Sequence, residues 1–231
     1  MSSEMNVSIP LPQTTPPLVM IRALGLIAAI CGLIIVSAYQ GTYDAVQENK
    51  RIAVERAVFK VIPTAKSIVE YWALADGQIE KVGAGGTAPV AGTLKFFAGY
   101  DEQGKLAGIA AEGAAKGYAD YVRILFAYDP GQQAVTGFGV VSSRETPGIG
   151  DKIVTDKAFL ANFPLDAKAG KDALANEIRA VKNGSKTTPW EVDAIAGATI
   201  TSRAVAKAIN DTAQVLVPRL VPHLGALKDK P

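Results

Sequence analysis

Between Ala23 and Tyr43 the chain carries no charged residue, and Leu24 to Val36 is almost continuously apolar. About 20 such residues are what a helix needs to cross the hydrocarbon core of a bilayer. A cleavable signal peptide accounts for the same run, because Val36-Ser37-Ala38 resembles a small-residue cleavage site. Against cleavage, the leader Met1–Pro17 is long and has no Lys or Arg. A retained transmembrane helix over residues 18–43 is therefore the expectation. Its flanking charge leaves the side open: only Arg22 precedes it, while Lys50, Arg51, Arg56 and Lys60 follow. Read by the positive-inside rule this keeps the C-terminal part in the cytoplasm, but the rule is weak for long translocated domains.

The remainder of the 231 residues is enough for one sizeable domain with appendages. Residues 1–17, rich in Ser, Thr and Pro, read as a disordered tail. From Asp44 to Ile62, apolar residues Ala53, Val54, Ala57, Val58 and Val61 recur at helical spacing and Pro63 follows, which predicts a helical stalk over 44–64. A second helix is expected over 65–75 and a loop over Val82–Pro89. The period then changes. Segments 93–100 and 105–111 flank Asp101-Glu-Gln-Gly104, and segments 121–128 and 134–142 flank Asp129-Pro-Gly131. Both are hairpin signals, and such strands suit an antiparallel sheet with one covered face. Helical patterns return at 156–162, 173–182 and 202–217, and the residues from Pro218 onward read as a tail. Strands followed by helices, without regular β–α alternation, predict an α+β domain over 65–217.

Single residues exclude several chemistries. One cysteine, Cys31, lies inside the apolar run, so the chain offers no disulfide framework and no cysteine set for an iron–sulfur cluster. The single histidine, His223, has no second His or Cys near it, and a metal site is not expected. The net charge of +2 is small, and no nucleic-acid partner is expected.

Two segments could carry chemistry. Asp193-Ala-Ile-Ala-Gly-Ala-Thr199 leads into the helix expected from about Ser202. Gly197 and Ala198 are small enough to let another group reach the backbone, free N–H groups at a helix start favour an anion, and Thr199 puts a hydroxyl there. The same residues serve equally as an ordinary helix cap, and no base stands beside Thr199 in sequence to activate it. The second segment is Glu145-Thr146-Pro147-Gly148-Ile149-Gly150. Pro147-Gly148 enforces a tight turn after a strand, and the Ile149 side chain could lie against a flat ring; a well-made turn accounts for it as well.

Together, in this order and behind an N-terminal membrane helix, the two segments resemble a family of FMN-binding subunits. It comprises the G subunit of the Rnf electron-transport complex and the C subunit of the sodium-pumping NADH:quinone reductase. Gly117-Tyr118 before a strand also looks like that family. The resemblance covers roughly residues 21–217. One departure is Ala196, where the family often has Ser or Thr. The resemblance implies one FMN, joined through its phosphate to Thr199 by a separate flavin transferase that uses FAD and Mg2+. It places Asp193, Gly197 and Ala198 around the phosphate or in recognition by the transferase, and Tyr118 and the Glu145–Gly150 loop near the flavin. It further implies a single-pass inner-membrane protein whose C-terminal domain faces the periplasm, against the charge count. The chain would then be an electron carrier among other membrane and peripheral subunits rather than an enzyme alone. The Rnf G subunit, coupling NADH and ferredoxin, is favoured over the C subunit of the quinone reductase, and a non-redox anchored sensor or scaffold is the alternative of another class. Gly25, Ala28, Ala29 and Gly32 would give the membrane helix a close-packing face for a neighbouring subunit.

Overall fold

Seven strands carry the architecture, and the local sequence explains two of the turns that join them. A computed structural model describes residues 16–83 and 91–231; the predicted tail up to Thr15 and most of the predicted Val82–Pro89 loop lie outside them. The chain divides into two compact units, residues 1–50 and 51–231. One helix, α1 (Pro17–Val61), runs through the first unit and ends in the second. It is the one helix among the described residues long and apolar enough to cross a membrane. Large apolar side chains along it stand open, Leu24 at 66%, Leu33 at 70% and Ile35 at 67% exposure. A face so apolar and so uncovered suits lipid rather than water.

The second unit is built on a sheet of β1 (Ser67–Ala73), β2 (Ile79–Lys81), β3 (Leu94–Tyr100), β4 (Leu106–Lys116), β5 (Tyr121–Asp129), β6 (Ala134–Ser142) and β7 (Leu165–Asp166). The spatial order is β2-β1-β3-β4-β5-β6-β7 and every pairing is antiparallel. Both expected hairpins form. Asp101 accepts from the N–H groups of Gln103 and Lys105 at 2.9 and 2.8 Å, and Asp129 accepts from Gly131 N–H at 2.7 Å, the Asx arrangement that makes such turns local. After β6 come a short helix, α2 (Lys157–Leu160), and a two-stranded parallel ribbon of β8 (Arg179–Val181) and β9 (Glu191–Asp193). The chain closes with α3 (Thr199–Leu220) and α4 (Leu224–Leu227).

Alternate residues of the central strands face two cores. Phe96, Ala98, Ile109, Ala111, Ile124 and Phe126 pack on one side with Ala204, Ala208, Ile209 and Val217 of α3. Phe97, Ala110, Leu125 and Ala127 pack on the other with Val58, Ile62 and Ala65. The expectation of one covered face is therefore corrected: the C-terminal turns of α1 cover the middle of the second face, which is why these strands read as nearly unbroken apolar runs. Against β4, α3 comes so close that a Cβ on Gly113 would collide with the Ala208 carbonyl, 2.9 Å from its carbon.

Three further expectations are corrected. Residues 65–75 hold strand β1 rather than a helix, with Val69, Tyr71 and Ala73 buried on one face at period two. Residues 173–182 are not helical, because side chains of α3 take up backbone N–H groups that a helix would use: Gln214 accepts from Leu174 N–H and Asn210 from Ile178 N–H, both at 2.9 Å. Residues from Pro218 onward are no loose tail. Pro218 stays within the end of α3, Leu220 and Leu227 are buried, and Leu106 N–H donates to the Lys228 carbonyl at 2.9 Å.

Candidate functional site

The loop after β6 and the start of α3, about fifty residues apart in sequence, form the walls of one cleft. Thr146-Pro147-Gly148-Ile149 is a tight turn: Gly148 takes φ +76, and the Thr146 carbonyl accepts from Ile149 N–H at 3.2 Å and Gly150 N–H at 2.9 Å, the pattern that Pro then Gly at the turn's central positions favours. Opposite it, Gly197 at φ +82 reverses the chain after β9, and α3 begins at once. Thr199 is the first helical residue, three positions earlier than the sequence pattern indicated. Tyr118, Glu145, Thr146, Ile149, Gly150 and the stretch Gly197–Thr201 enclose about 570 Å³, within the range of small-molecule sites.

Two chemical characters meet there. The apolar side chains Tyr118, Ile149 and Ile200 are 71%, 50% and 48% exposed, a set of flat or branched surfaces open to a planar ligand. The helix start supplies the polar end. Its N-cap is Ala198, which makes no side-chain capping bond, and the first intrahelical bond is Ser202 N–H to the Ala198 carbonyl at 3.0 Å. The N–H groups of Thr199, Ile200 and Thr201 precede it, and with the helix dipole they favour an anion. The ordinary-cap explanation therefore loses its capping side chain.

The hydroxyls of this turn differ. Ser202 is fully buried; it donates to the Ala198 carbonyl at 2.9 Å and accepts from Ile195 N–H at 3.1 Å. Thr201 is buried and donates to the Glu145 carboxylate. Thr199 is half-buried, and among the described residues its hydroxyl makes one hydrogen bond, to the Ile195 carbonyl at 3.5 Å, the weak limit of such contacts.

Glu145 faces the floor of the cleft, and its carboxylate is held by the protein itself. It accepts from the N–H groups of Tyr118, Ala119 and Asp120 at 3.2, 3.0 and 3.5 Å, and from Thr201. Burial opposes its ionisation, but the Thr201 hydroxyl and the three backbone donors outweigh burial and hold the carboxyl below its ordinary range.

Asp193 does not line the cleft. Its carboxylate accepts from Gly184 and Ser185 N–H at 2.9 and 3.2 Å, and it lines a smaller hollow with Lys152, Asp156 and Ala196. Pro147 and Gly148 shape the turn without lining the cleft. Sequence reasoning missed Ile200, Thr201 and Asn162. Buried Asn162 accepts from Asp193 N–H at 2.8 Å and donates to the Asp193 carbonyl at 3.2 Å, fixing the strand that leads into the site. Nothing in its local sequence signals this.

At the first position of β9, buried Glu191 accepts from Thr187 and Thr188 N–H at 2.9 and 3.2 Å and pairs with Arg179 at 2.9 Å. Chiefly through the Thr187 N–H and then Arg179, its pKa falls from 4.5 to about 2. A depressed carboxylate pKa means that folding favours the charged form. Its contribution is complete above pH 4.5 and is lost as pH falls towards 2. In that window the fluorescence of neighbouring Trp190 should report loosening, and Glu191→Gln should remove this transition. A wild-type and a variant profile that coincide would contradict it.

Residues 117–214 match the protein family described as FMN-binding domain. The chain is similar to the G subunit of the ion-translocating oxidoreductase complex of Methanosarcina acetivorans, 31% identical over 115 residues, 50% of this chain and 54% of that protein. It is also similar to the G subunit of the Na(+)-translocating ferredoxin:NAD(+) oxidoreductase complex of Acetobacterium woodii, 34% identical over 103 residues and 45% of each chain. The matches span about half the length of these curated relatives. Among solved structures, Shewanella oneidensis NqrC superposes with a TM-score of 0.62 at 24% identity, over 78% of this chain and 99% of that one. The C subunit of the Na(+)-translocating NADH-quinone reductase of Parabacteroides distasonis gives 0.59 at 19%, over 77% and 96%. These two show a shared fold.

Proposed function

Given that residues 117–214 match the FMN-binding domain family, we propose that the chain is a membrane-anchored electron carrier holding one FMN through a phosphoester to Thr199, within an ion-translocating oxidoreductase complex of the Rnf type. One observation carries the reading. The cleft joins an uncapped helix start, with one weakly held hydroxyl, to the apolar surfaces of Tyr118, Ile149 and Ile200. Phosphate and ring of a flavin ask for those two environments side by side.

Thr199 and the first-turn N–H groups of α3 hold the phosphate; Gly197 and Ala198 keep the approach to them narrow in side-chain bulk. Tyr118, Ile149 and Ile200 flank the ring, with Thr146 and Gly150 completing the wall. The flavin supplies one- and two-electron redox chemistry when bound. Attachment is the work of a separate transferase that uses FAD and Mg2+. A bond forms between the FMN phosphorus and the Thr199 oxygen, the pyrophosphate bond of FAD breaks, AMP leaves, and the hydroxyl proton goes to solvent. No carboxylate or histidine among the described residues hydrogen-bonds the Thr199 hydroxyl, which accords with an external catalyst. Asp193, turned away from the cleft, acts by holding the segment in shape for that enzyme. The helix over 18–43 anchors the chain in the inner membrane with the flavin domain on the periplasmic side, and the other subunits of the complex deliver and remove electrons. The fold likeness to the C subunit of the sodium-pumping reductase supports that complex as the second reading.

Co-expression with a flavin transferase tests the reading. The denatured full-length protein should fluoresce as a flavin-bearing band in a gel. A dark band from protein shown to have met active transferase would sink covalent attachment.

A further inference from the structure

We infer that Thr201 and Glu145 form the positioning pair of this site, a brace that fixes how α3 presents Thr199 and its first-turn N–H groups to the flavin phosphate. This rests on the proposed function for what is presented, and on geometry alone for the brace. Three chain segments meet at one carboxylate: the turn 118–120 through three backbone N–H groups, the 145–150 loop that carries Glu145, and the first turn of α3 through the Thr201 hydroxyl. Both partners are buried, Glu145 at 8% and Thr201 at 2% exposure.

Gly117 and Gly150 leave the room that the Glu145 side chain fills. A Cβ on Gly117 would lie 2.6 Å from Glu145 Oε1, and one on Gly150 would lie 2.6 Å from Glu145 Cβ. Either addition would push into the brace. The helix geometry then transmits the constraint. At 3.6 residues per turn, side chains two positions apart point about 160° away from each other. Tying Thr201 inward therefore fixes the rotation of the first turn, with Thr199 turned outward. The Tyr118 N–H, bonded to the same carboxylate, holds Tyr118 beside the loop that carries Ile149. A bond to an ionised carboxylate is among the stronger hydrogen bonds, and among the described residues no other hydrogen bond joins the Glu145 side chain to α3.

The test uses the full-length protein with Thr201→Val, which keeps the shape and removes the hydroxyl, and Thr201→Ser, which restores it. In unloaded protein the amides of residues 118–120 should exchange with solvent about tenfold faster or more in Thr201→Val, while amides in the middle of β5 keep their wild-type rate. Loading by the transferase should slow, and the attached flavin should depolarise faster. Thr201→Ser should reverse all three. Wild-type exchange and loading in Thr201→Val would overturn the inference, and so would a Thr201→Ser protein that behaves like the valine variant. Should Thr201→Val fail to fold, Glu145→Gln reads the same brace, because an amide nitrogen in place of one carboxylate oxygen cannot accept both the Tyr118 N–H and the Thr201 hydroxyl proton; faster exchange at Tyr118 and slower loading are expected, and unchanged exchange there overturns it. A wild type that takes no flavin would refute the proposed function, while the exchange rates still decide the brace.

Discussion

Thr199→Ala protein, co-expressed with the transferase, is expected to yield a dark band where the wild type fluoresces, a complete loss rather than a graded one. The reason is chemical. A phosphoester needs an oxygen at that position, and the neighbouring hydroxyls are not substitutes. Thr201 is tied to Glu145 and Ser202 to the Ala198 carbonyl, both buried. The fold should survive, since the Thr199 hydroxyl contributes one long contact to Ile195. Thermal unfolding should therefore move little while attachment disappears. Thr199→Ser should regain fluorescence. A Thr199→Ala protein that still fluoresces after denaturation would mean another residue carries the flavin.

Gly113→Val is the change with the largest expected effect on stability. Gly113 lies in β4 where α3 crosses it. The added Cβ would collide with the Ala208 carbonyl oxygen and sit 2.9 Å from its carbon. Both are backbone atoms, so no side-chain rotation relieves the clash and the helix must lift. Ala204 and Ala208 show how closely α3 is seated, since both are buried small residues facing the sheet. Overpacking of this kind costs about 3 kcal/mol or more, a large part of the ~5–15 kcal/mol that holds a domain together. For a domain of this size the melting midpoint should fall by roughly 10 °C, and the site should lose its shape with α3. Gly137→Ala provides the contrast: nothing lies within 4 Å of its added Cβ, so its midpoint should stay near wild type. Equal melting of the Gly113→Val protein and wild type would contradict the close seating of α3.

How much of this was legible in the sequence depended on how local the cause was. The hairpin turns were, because Asp101 and Asp129 bond to backbone within their own turns. So was the helix α1 across the apolar run. The parts that failed were those decided by residues far away. Segment 65–75 has apolar residues compatible with either period, and it becomes a strand because β2 and β3 pair with it on both sides. Segment 173–182 is kept out of a helix by Gln214 and Asn210 from α3.

The site divides in the same way. The Glu145–Gly150 turn and the Gly197–Thr199 approach were visible as turn chemistry, and their meeting in one cleft followed from family resemblance rather than from spacing. The direction of the acidic side chains was not visible. Glu145 turns inward to the 118–120 amides and Thr201, and Asp193 turns away to the turn at 184–185. Each carboxylate goes to backbone donors that local pattern does not reveal.

Mass spectrometry of wild-type protein matured with the transferase reads directly whether one flavin is bonded to one hydroxyl. Cleavage after Lys186 and Arg203 releases residues 187–203, which hold Thr187, Thr188, Thr199, Thr201 and Ser202. This peptide should carry the mass of FMN less water, and fragmentation should place it on Thr199. Flavin on Thr201 or Ser202, or a peptide without flavin from protein that had met active transferase, would contradict attachment at Thr199.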